Sequence, residues 1–264
     1  MTNAAVFRSL HNPADPLVLV NAWDAASARI VAAAGARAVA TTSAGVAWTL
    51  GVPDGDALTR DAMLAHLARV VAVVDVPVTA DVESGFGATP ADVAETLRGV
   101  AAAGAVGVNL EDTVRGDNPG LRPVADQVER IAAARAAAPD VYINARIDTY
   151  LRGADDLDGT VARAHAYLEA GASGIFVPGV VDAATIGALA AAIPAPLNIL
   201  VGPAAPSVAE LAKLGVARVS LGSWVAEAAY TVARRAAEEA FSAGTYTSLD
   251  GAIGYGELNA LMSG

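Results

Sequence analysis

Asp81-Val-Glu-Ser-Gly-Phe-Gly87 sets two carboxylates two residues apart, directly after the apolar run Val76-Pro-Val-Thr-Ala80. Side chains two apart on an extended chain share a face. Asp81 and Glu83 therefore leave the carboxyl end of one strand together, and the Ser84-Gly85-Phe86-Gly87 turn keeps them there. A second apolar run, Ala105 to Leu110, ends on Glu111-Asp112. Acids converging at adjacent strand ends repel strongly at low dielectric, and a hard divalent cation ligated by oxygen is the simplest relief. A third run, Val141 to Ile147, carries Asn144 and Arg146 and leads to Asp148, again alternating onto one face. Arg146 can act as a donor to a developing negative charge or as a counter-ion for Asp148 or Glu111. Asp112 points away from Glu111 and is expected to support rather than to ligate.

These residues need a scaffold that gathers strand ends. Short apolar runs alternate with longer alanine-rich amphipathic segments, eight of each. The expected strands are Leu17 to Asn21, Ala38 to Thr42, Val76 to Asp81, Ala105 to Glu111, Val141 to Ile147, Gly174 to Pro178, Leu197 to Val201 and Val216 to Leu221. The expected helices lie near 24–34, 57–74, 90–103, 123–138, 155–170, 182–192, 205–214 and 223–243. Gly-Ala pairs at 35–36, 104–105 and 171–172 fit a helix that ends on glycine and returns to a sheet. This alternation predicts an α/β fold, a (β/α)8 TIM-type barrel, whose chemistry sits at the carboxyl ends of the strands. An open doubly wound sheet is the alternative, but Gly-x-Gly-x-x-Gly is missing after the first strand. Thr247 to Gly264 remain as an extra C-terminal helical segment with Leu249, Ile253, Leu258, Leu261 and Met262 as its apolar members. So short a helix is marginal alone, so it should dock on its own barrel or on a neighbour.

With 264 residues, 54% of them hydrophobic, the chain can bury one large core, and residues 1–264 read as a single domain. No apolar stretch is long enough for a membrane span and no export signal opens the chain, which suggests a soluble, cytoplasmic protein without a membrane partner. A formal charge of -11 argues against nucleic acid. The absence of cysteine removes disulfides, thiolate metal sites and a thiol nucleophile. Lys213 is the only lysine among 17 Lys and Arg and lies inside a helix, so a Schiff-base mechanism is disfavoured. His11, His66 and His165 fall in the amino-terminal arm and in helix interiors, where packing or surface roles are expected. Gly202-Pro203 and Gly222-Ser223 stand where many barrels bind phosphate, without a glycine-rich run or a nearby lysine to support such a site.

Asn21-Ala-Trp-Asp-Ala-Ala-Ser-Ala-Arg29, Thr41-Thr-Ser-Ala-Gly45, the Asp81 to Gly87 motif, Asn109-Leu-Glu-Asp112 and Asn144-Ala-Arg146 occur in that order. Together they resemble the isocitrate lyase/phosphoenolpyruvate mutase superfamily over residues 17 to 222. The resemblance implies a barrel whose eighth helix can be exchanged between subunits, in a homodimer or homotetramer. It implies Mg²⁺, with Mn²⁺ as a substitute, near Asp81, Glu83 and Glu111, with Asp54 as a further acid. A small-molecule 2-oxo acid would lie on the metal, its carboxylate received around Ser43, Ala44 and Gly45. Trp23, Asp81 and Asn198 would help to hold it, and Arg146 would face the oxygen that becomes an enolate. Arg146 and Glu111 are the expected catalytic pair.

The loop after the fourth strand departs from that pattern. Thr113-Val-Arg-Gly-Asp-Asn-Pro-Gly-Leu121 has neither the Cys-Gly-His of the lyase gating loop nor the lysine and Asn-Ser of the mutase, and Pro178 replaces a mutase histidine. Arg115, Asp117 and Asn118 in this lid are expected to select the substrate, with Gly116 and Gly120 as hinges. The resulting expectation is a Mg²⁺-dependent carbon–carbon lyase or decarboxylase acting on a small 2-oxo or 2-hydroxy dicarboxylate. A carbon–phosphorus bond enzyme and a non-catalytic 2-oxo acid binding protein are the alternatives.

Overall fold

The computed structural model describes residues 2–116, 119–153 and 156–263. Eight staves form its central sheet. They are β1 (Leu17–Leu19, continuing after Val20 as Asn21–Ala22), β2 (Val39–Thr41), β3 (Val78–Asp81), β4 (Gly107–Glu111), β5 (Tyr142–Arg146), β6 (Gly174–Val177), β7 (Leu197–Leu200) and β8 (Arg218–Ser220). Every neighbouring pair is parallel. The first half of β1 pairs with β8 and the second half with β2, so the ring closes through β1. Asn21 secures that join, since its Nδ2 donates to Thr41 O at 3.0 Å while its Oδ1 accepts from Leu221 N at 3.1 Å and Gly222 N at 2.9 Å.

The helices are α1 (Asn3–Ser9), α2 (Ala25–Ala33), α3 (Ser43–Thr49), α4 (Arg60–Val71), α5 (Pro90–Ala102), α6 (Val124–Ala137), α7 (Leu157–Glu169), α8 (Ala183–Ala192), α9 (Val208–Lys213), α10 (Trp224–Ser242) and α11 (Tyr255–Ser263). Side-chain caps start most of those around the barrel, with reciprocal capping boxes at Asp24/Ser27, Thr89/Asp92 and Ser207/Glu210. The larger apolar core lies between the sheet and these helices, joining Val39, Val78, Val108, Ile143, Ile175 and Ile199 to helix residues such as Leu67, Leu97 and Ile131. A smaller cluster of Phe7, Leu17, Leu19, Ala38, Ala40 and Tyr142 closes the amino-terminal end of the barrel.

Three elements stand outside the eightfold expectation. α1, capped by Thr2, carries Phe7 into the lower end of the barrel. Ser43-Ala44-Gly45 is the first turn of α3 rather than loop. In the lid, Thr113–Val114 and Gly120–Leu121 pair as an antiparallel hairpin, and Asp117 and Asn118 lie outside the described residues.

The C-terminal segment divides into a 3₁₀ turn, Thr247–Leu249, and α11, which rests on α2 of its own barrel with Arg29 Nη1 donating to Leu261 O at 3.2 Å. Of the 19 residues of α10, only Ala226 is buried. Among the described residues, no helix is long and apolar enough to cross a membrane.

Candidate active site

Register brings the charged residues together. Asp81 is paired with Asn109 across β3 and β4, Glu111 with Arg146 across β4 and β5, and Arg146 with Phe176 across β5 and β6. The inward faces of Asp81, Asn109, Arg146 and Phe176 open on a cavity of about 210 Å³ at the carboxyl ends of the strands, with Glu83 and Glu111 outside its lining. Asn21, Ser43, Ala44, Asp54, Asp81, Asn109, Arg146 and Ser220 give it a polar lining, and Leu151, Phe176, Pro178 and Leu200 an apolar one.

Arg146 is held on three sides. Its Nε donates to Asp148 Oδ1 at 2.6 Å, its Nη2 to Asp148 Oδ2 at 3.1 Å, and its Nη1 stands 2.9 Å from Glu111 Oε2. Thr113 Oγ1 and the Asp148 amide fix Asp148 in turn, the latter donating to Asp112 Oδ1 at 3.0 Å. Asp112 also accepts from Tyr167 and Arg163, so it braces α7 against the end of β4, as its orientation opposite Glu111 suggested. Arg146 is thus a counter-ion of Asp148 and Glu111, and it also lines the cavity.

Asp81 takes the amide of Glu83 on its Oδ1 at 3.0 Å. The following turn is conformationally demanding, with Glu83 at φ 49° and Phe86 at φ 54°, both in the left-handed region that non-glycine residues seldom occupy. Sequence reading missed what holds this turn. Arg130, buried on α6, donates to the carbonyls of Ser84, Gly87 and Ala88, Arg60 donates to Phe86 O, and Thr96 Oγ1 donates to Gly85 O. Nothing in the spacing of α6 marks Arg130, since an arginine on an amphipathic helix ordinarily faces water.

Glu83 accepts the amide of Asp56 and lines a small adjoining pocket with Asp81, Thr41, Ser43, His66 and Phe86. His66 is packed, with Nε2 2.7 Å from Trp23 O. Arg115 returns from the lid hairpin, its Nη2 2.8 Å from Glu111 Oε1 and its Nε 3.8 Å from Asp56 Oδ2. Asp56, whose Oδ2 also accepts from Ser84, was not singled out, because a turn aspartate has no spacing signal. Trp23, Gly45 and Asn198 do not reach the cavity. A Cβ on Gly45 would stand 2.6 Å from Trp23 Cβ, so that glycine serves a close approach, and Trp23 faces Tyr230 with ring centroids 6.5 Å apart. Asn198 is fully buried one layer down, where its Oδ1 accepts from Ser220 Oγ at 3.1 Å.

Burial pushes the carboxyls of Asp81, Glu83 and Glu111 upward, Glu83 to about 7, against the pull of Arg146 on Asp81 and Glu111. Asp54, Asp56, Asp81, Glu83, Glu111 and Asp148 are grouped around Arg115 and Arg146, so carboxylates outnumber the cations among them. The donor set suits a hard cation: all oxygen, in negative excess, with Asp56 Oδ1 buried and, among the described residues, lacking a hydrogen-bond partner. Among the described residues no three His, Asp or Glu side chains are grouped as a bound metal would require, and Glu111 is held between Arg115 and Arg146.

The phosphoenolpyruvate phosphomutase family model matches residues 7–241. The chain is 39% identical to an uncharacterized protein of Mycobacterium tuberculosis, over 97% of this chain and 95% of that one. It is 34% identical to 2-methylisocitrate lyase of Escherichia coli, over 72% of this chain and 67% of the lyase. Among solved structures, phosphonopyruvate hydrolase in complex with oxalate and Mg²⁺ superposes with a TM-score of 0.88 at 25% identity, covering 100% of this chain and 95% of that one. Barrel, ordered motifs and relatives agree, and the chain belongs to the isocitrate lyase/phosphoenolpyruvate mutase superfamily.

Proposed function

We propose that this protein is a Mg²⁺-dependent carbon–carbon lyase or decarboxylase that acts on a small 2-oxo or 2-hydroxy dicarboxylate through an enolate. The observation that carries this reading is the cavity itself, with the Asp54 and Asp81 carboxylates and the Arg146 guanidinium on one strand-end surface. Asp81, Glu83, Glu111 and Asp54 would hold the cation, which when bound supplies Lewis-acid polarisation of the 2-oxo group. Ser43 and Ala44 sit at the start of α3, whose first turn has no side-chain cap, so their amides can receive the substrate carboxylate. Arg146, immobilised by Asp148, would donate to the oxygen that gains charge as the bond breaks, which is stabilisation by a preorganised donor.

Decarboxylation suits this chain best. Loss of carbon dioxide from oxaloacetate needs no protein base, whereas retro-aldol cleavage of a hydroxy acid needs a base for the hydroxyl. Among the described lid residues, Thr113 to Gly116 and Pro119 to Leu121, the only ionisable side chain is Arg115, and it is turned onto Glu111 and Asp56. Relatives named for lyase activity support the class of reaction. The relative bound to Mg²⁺ and oxalate supports the metal and the ligand type.

Asp81→Ala tests the metal clamp. Calorimetric titration should show Mg²⁺ binding abolished in a variant that still folds. Unchanged Mg²⁺ affinity would remove the cation from this cluster.

A further inference from the structure

Below the cavity floor the barrel interior holds a charge that the proposed chemistry leaves unused. Arg218 projects inward from β8 and is fully buried. Its Nη2 donates to Asn109 Oδ1 at 3.1 Å, its Nε stands 3.5 Å from Ser220 Oγ, and its Nη1 has no hydrogen-bond partner among the described residues. Among the described residues no carboxylate forms an ion pair with it. Burial lowers its pKa to about 10, which leaves it protonated at neutral pH, and Asp81 is among the charges that pull the value back up. Isolated buried cations are costly, and the surroundings do not repay this one. Tyr142 OH, Asn198 Nδ2 and Thr79 Oγ1 are likewise buried without partners.

The two groups that Arg218 faces, Asn109 and Ser220, are both cavity floor. Asn109 Oδ1 accepts from Arg218 and from Asn144 Nδ2 at 2.9 Å, which fixes the amide so that its nitrogen serves Asp81. Ser220 Oγ donates to Asn198 Oδ1, which leaves its lone pairs toward Arg218. Arg146, the arginine that lines the cavity, is already engaged by Glu111 and Asp148, and Arg115 of the lid by Glu111.

We propose that Arg218 is a positioning residue whose unpaired charge, seated under the floor, is matched by the anion that enters the cavity, and which through Asn109 and Ser220 sets the polar floor that anion meets. The proposal rests on the reading of the cavity as a 2-oxo acid site. It explains why a buried cation stands in the barrel with, among the described residues, no carboxylate in ion-pair contact.

A purely structural arginine and this one predict opposite outcomes. An uncompensated buried charge is costly, so Arg218→Met, which removes it at similar volume, should not weaken the fold if the charge exists for the ligand. The test measures oxalate binding by calorimetry in the presence of Mg²⁺, and thermal melting without either, for the wild type, Arg218→Met and Arg218→Lys. Arg218→Met is expected to melt no lower than the wild type and to bind oxalate about tenfold more weakly, with Arg218→Lys keeping more of the affinity. A Met variant that melts several degrees lower or does not fold would overturn the proposal in favour of a structural role. A Met variant with wild-type oxalate affinity would overturn it alone. A wild type that binds no oxalate with Mg²⁺ would overturn it together with the reading of the cavity.

Discussion

His11 closes the barrel floor with its ring 4.0 Å from that of Tyr142 and nearly parallel to it. Burial, reinforced by the nearby Arg218 charge, depresses its pKa from 6.5 to about 3. The unfolded chain therefore takes up this proton first as pH falls, and the stability contributed by neutral His11 is lost progressively below about 6.5. Linkage gives a loss of about 2 kcal/mol between neutral pH and pH 5. His11→Phe, which keeps an aromatic ring against Tyr142, should flatten the dependence of the melting temperature over that interval; an unchanged slope would show that His11 does not titrate on unfolding. Spacing had identified His11 only as a packing or surface residue. At this scale the sequence exposes the acids and Arg146, because alternation along a strand fixes which way they face. It does not expose their partners. That Arg146 is clasped by Asp148, that Arg115 reaches Glu111 and that Arg130 serves a turn 42 to 46 residues away depend on tertiary approach.

Among the elements, the turn after β3 carries the heaviest local demand. Two non-glycine residues at positive φ persist there because Arg130, Arg60 and Thr96 take up the turn's carbonyls. Arg130→Met should leave the buried Ser84 carbonyl and the partly exposed Gly87 and Ala88 carbonyls without this donor and cost about 1–3 kcal/mol, read as a lower urea midpoint with an unchanged m-value. A midpoint within experimental error of the wild type would mean that the turn holds itself. The contrast with Arg218 follows from geometry, since one arginine satisfies backbone groups and the other does not. All eight strands and their following helices were legible from apolar runs and glycine-terminated helical patterns. The two additional short helices, α1 and α3, span seven residues each, too few turns for a periodic pattern to emerge. The lid hairpin has two residues per strand, which leaves no alternation to read.

For the whole molecule, the open question is what covers α10 and the segment after it. Phe241 is 90% exposed, Tyr255 85% and Tyr246 70%, with Leu249 and Ile253 about half exposed, a concentration of apolar surface unusual for a free monomer. The resemblance anticipated exchange of this region within a homodimer or homotetramer. α11 does rest on its own α2, yet α10 buries a single residue. Truncation after Gly244 should therefore weaken assembly and lower thermal stability, as seen by light scattering and melting. Identical mass and stability in the truncated and full-length chains would reduce the segment to a tail.

The central claim, that Arg146 and a metal-holding acid cluster stabilise an enolate, is tested most directly by the turnover of Arg146→Lys. Oxaloacetate, isocitrate, methylisocitrate and phosphonopyruvate are offered with and without Mg²⁺, release of pyruvate or succinate is followed, and oxaloacetate is corrected for spontaneous loss of carbon dioxide. The wild type should turn over one of them only with Mg²⁺, oxaloacetate first. Lysine keeps the charge but loses the planar fork, so kcat should fall about 10²- to 10³-fold with a modest change in KM. A variant with near-normal kcat and a greatly raised KM would make Arg146 a carboxylate anchor, and no enzyme-dependent turnover of any of the four acids by the wild type would contradict the lyase reading itself.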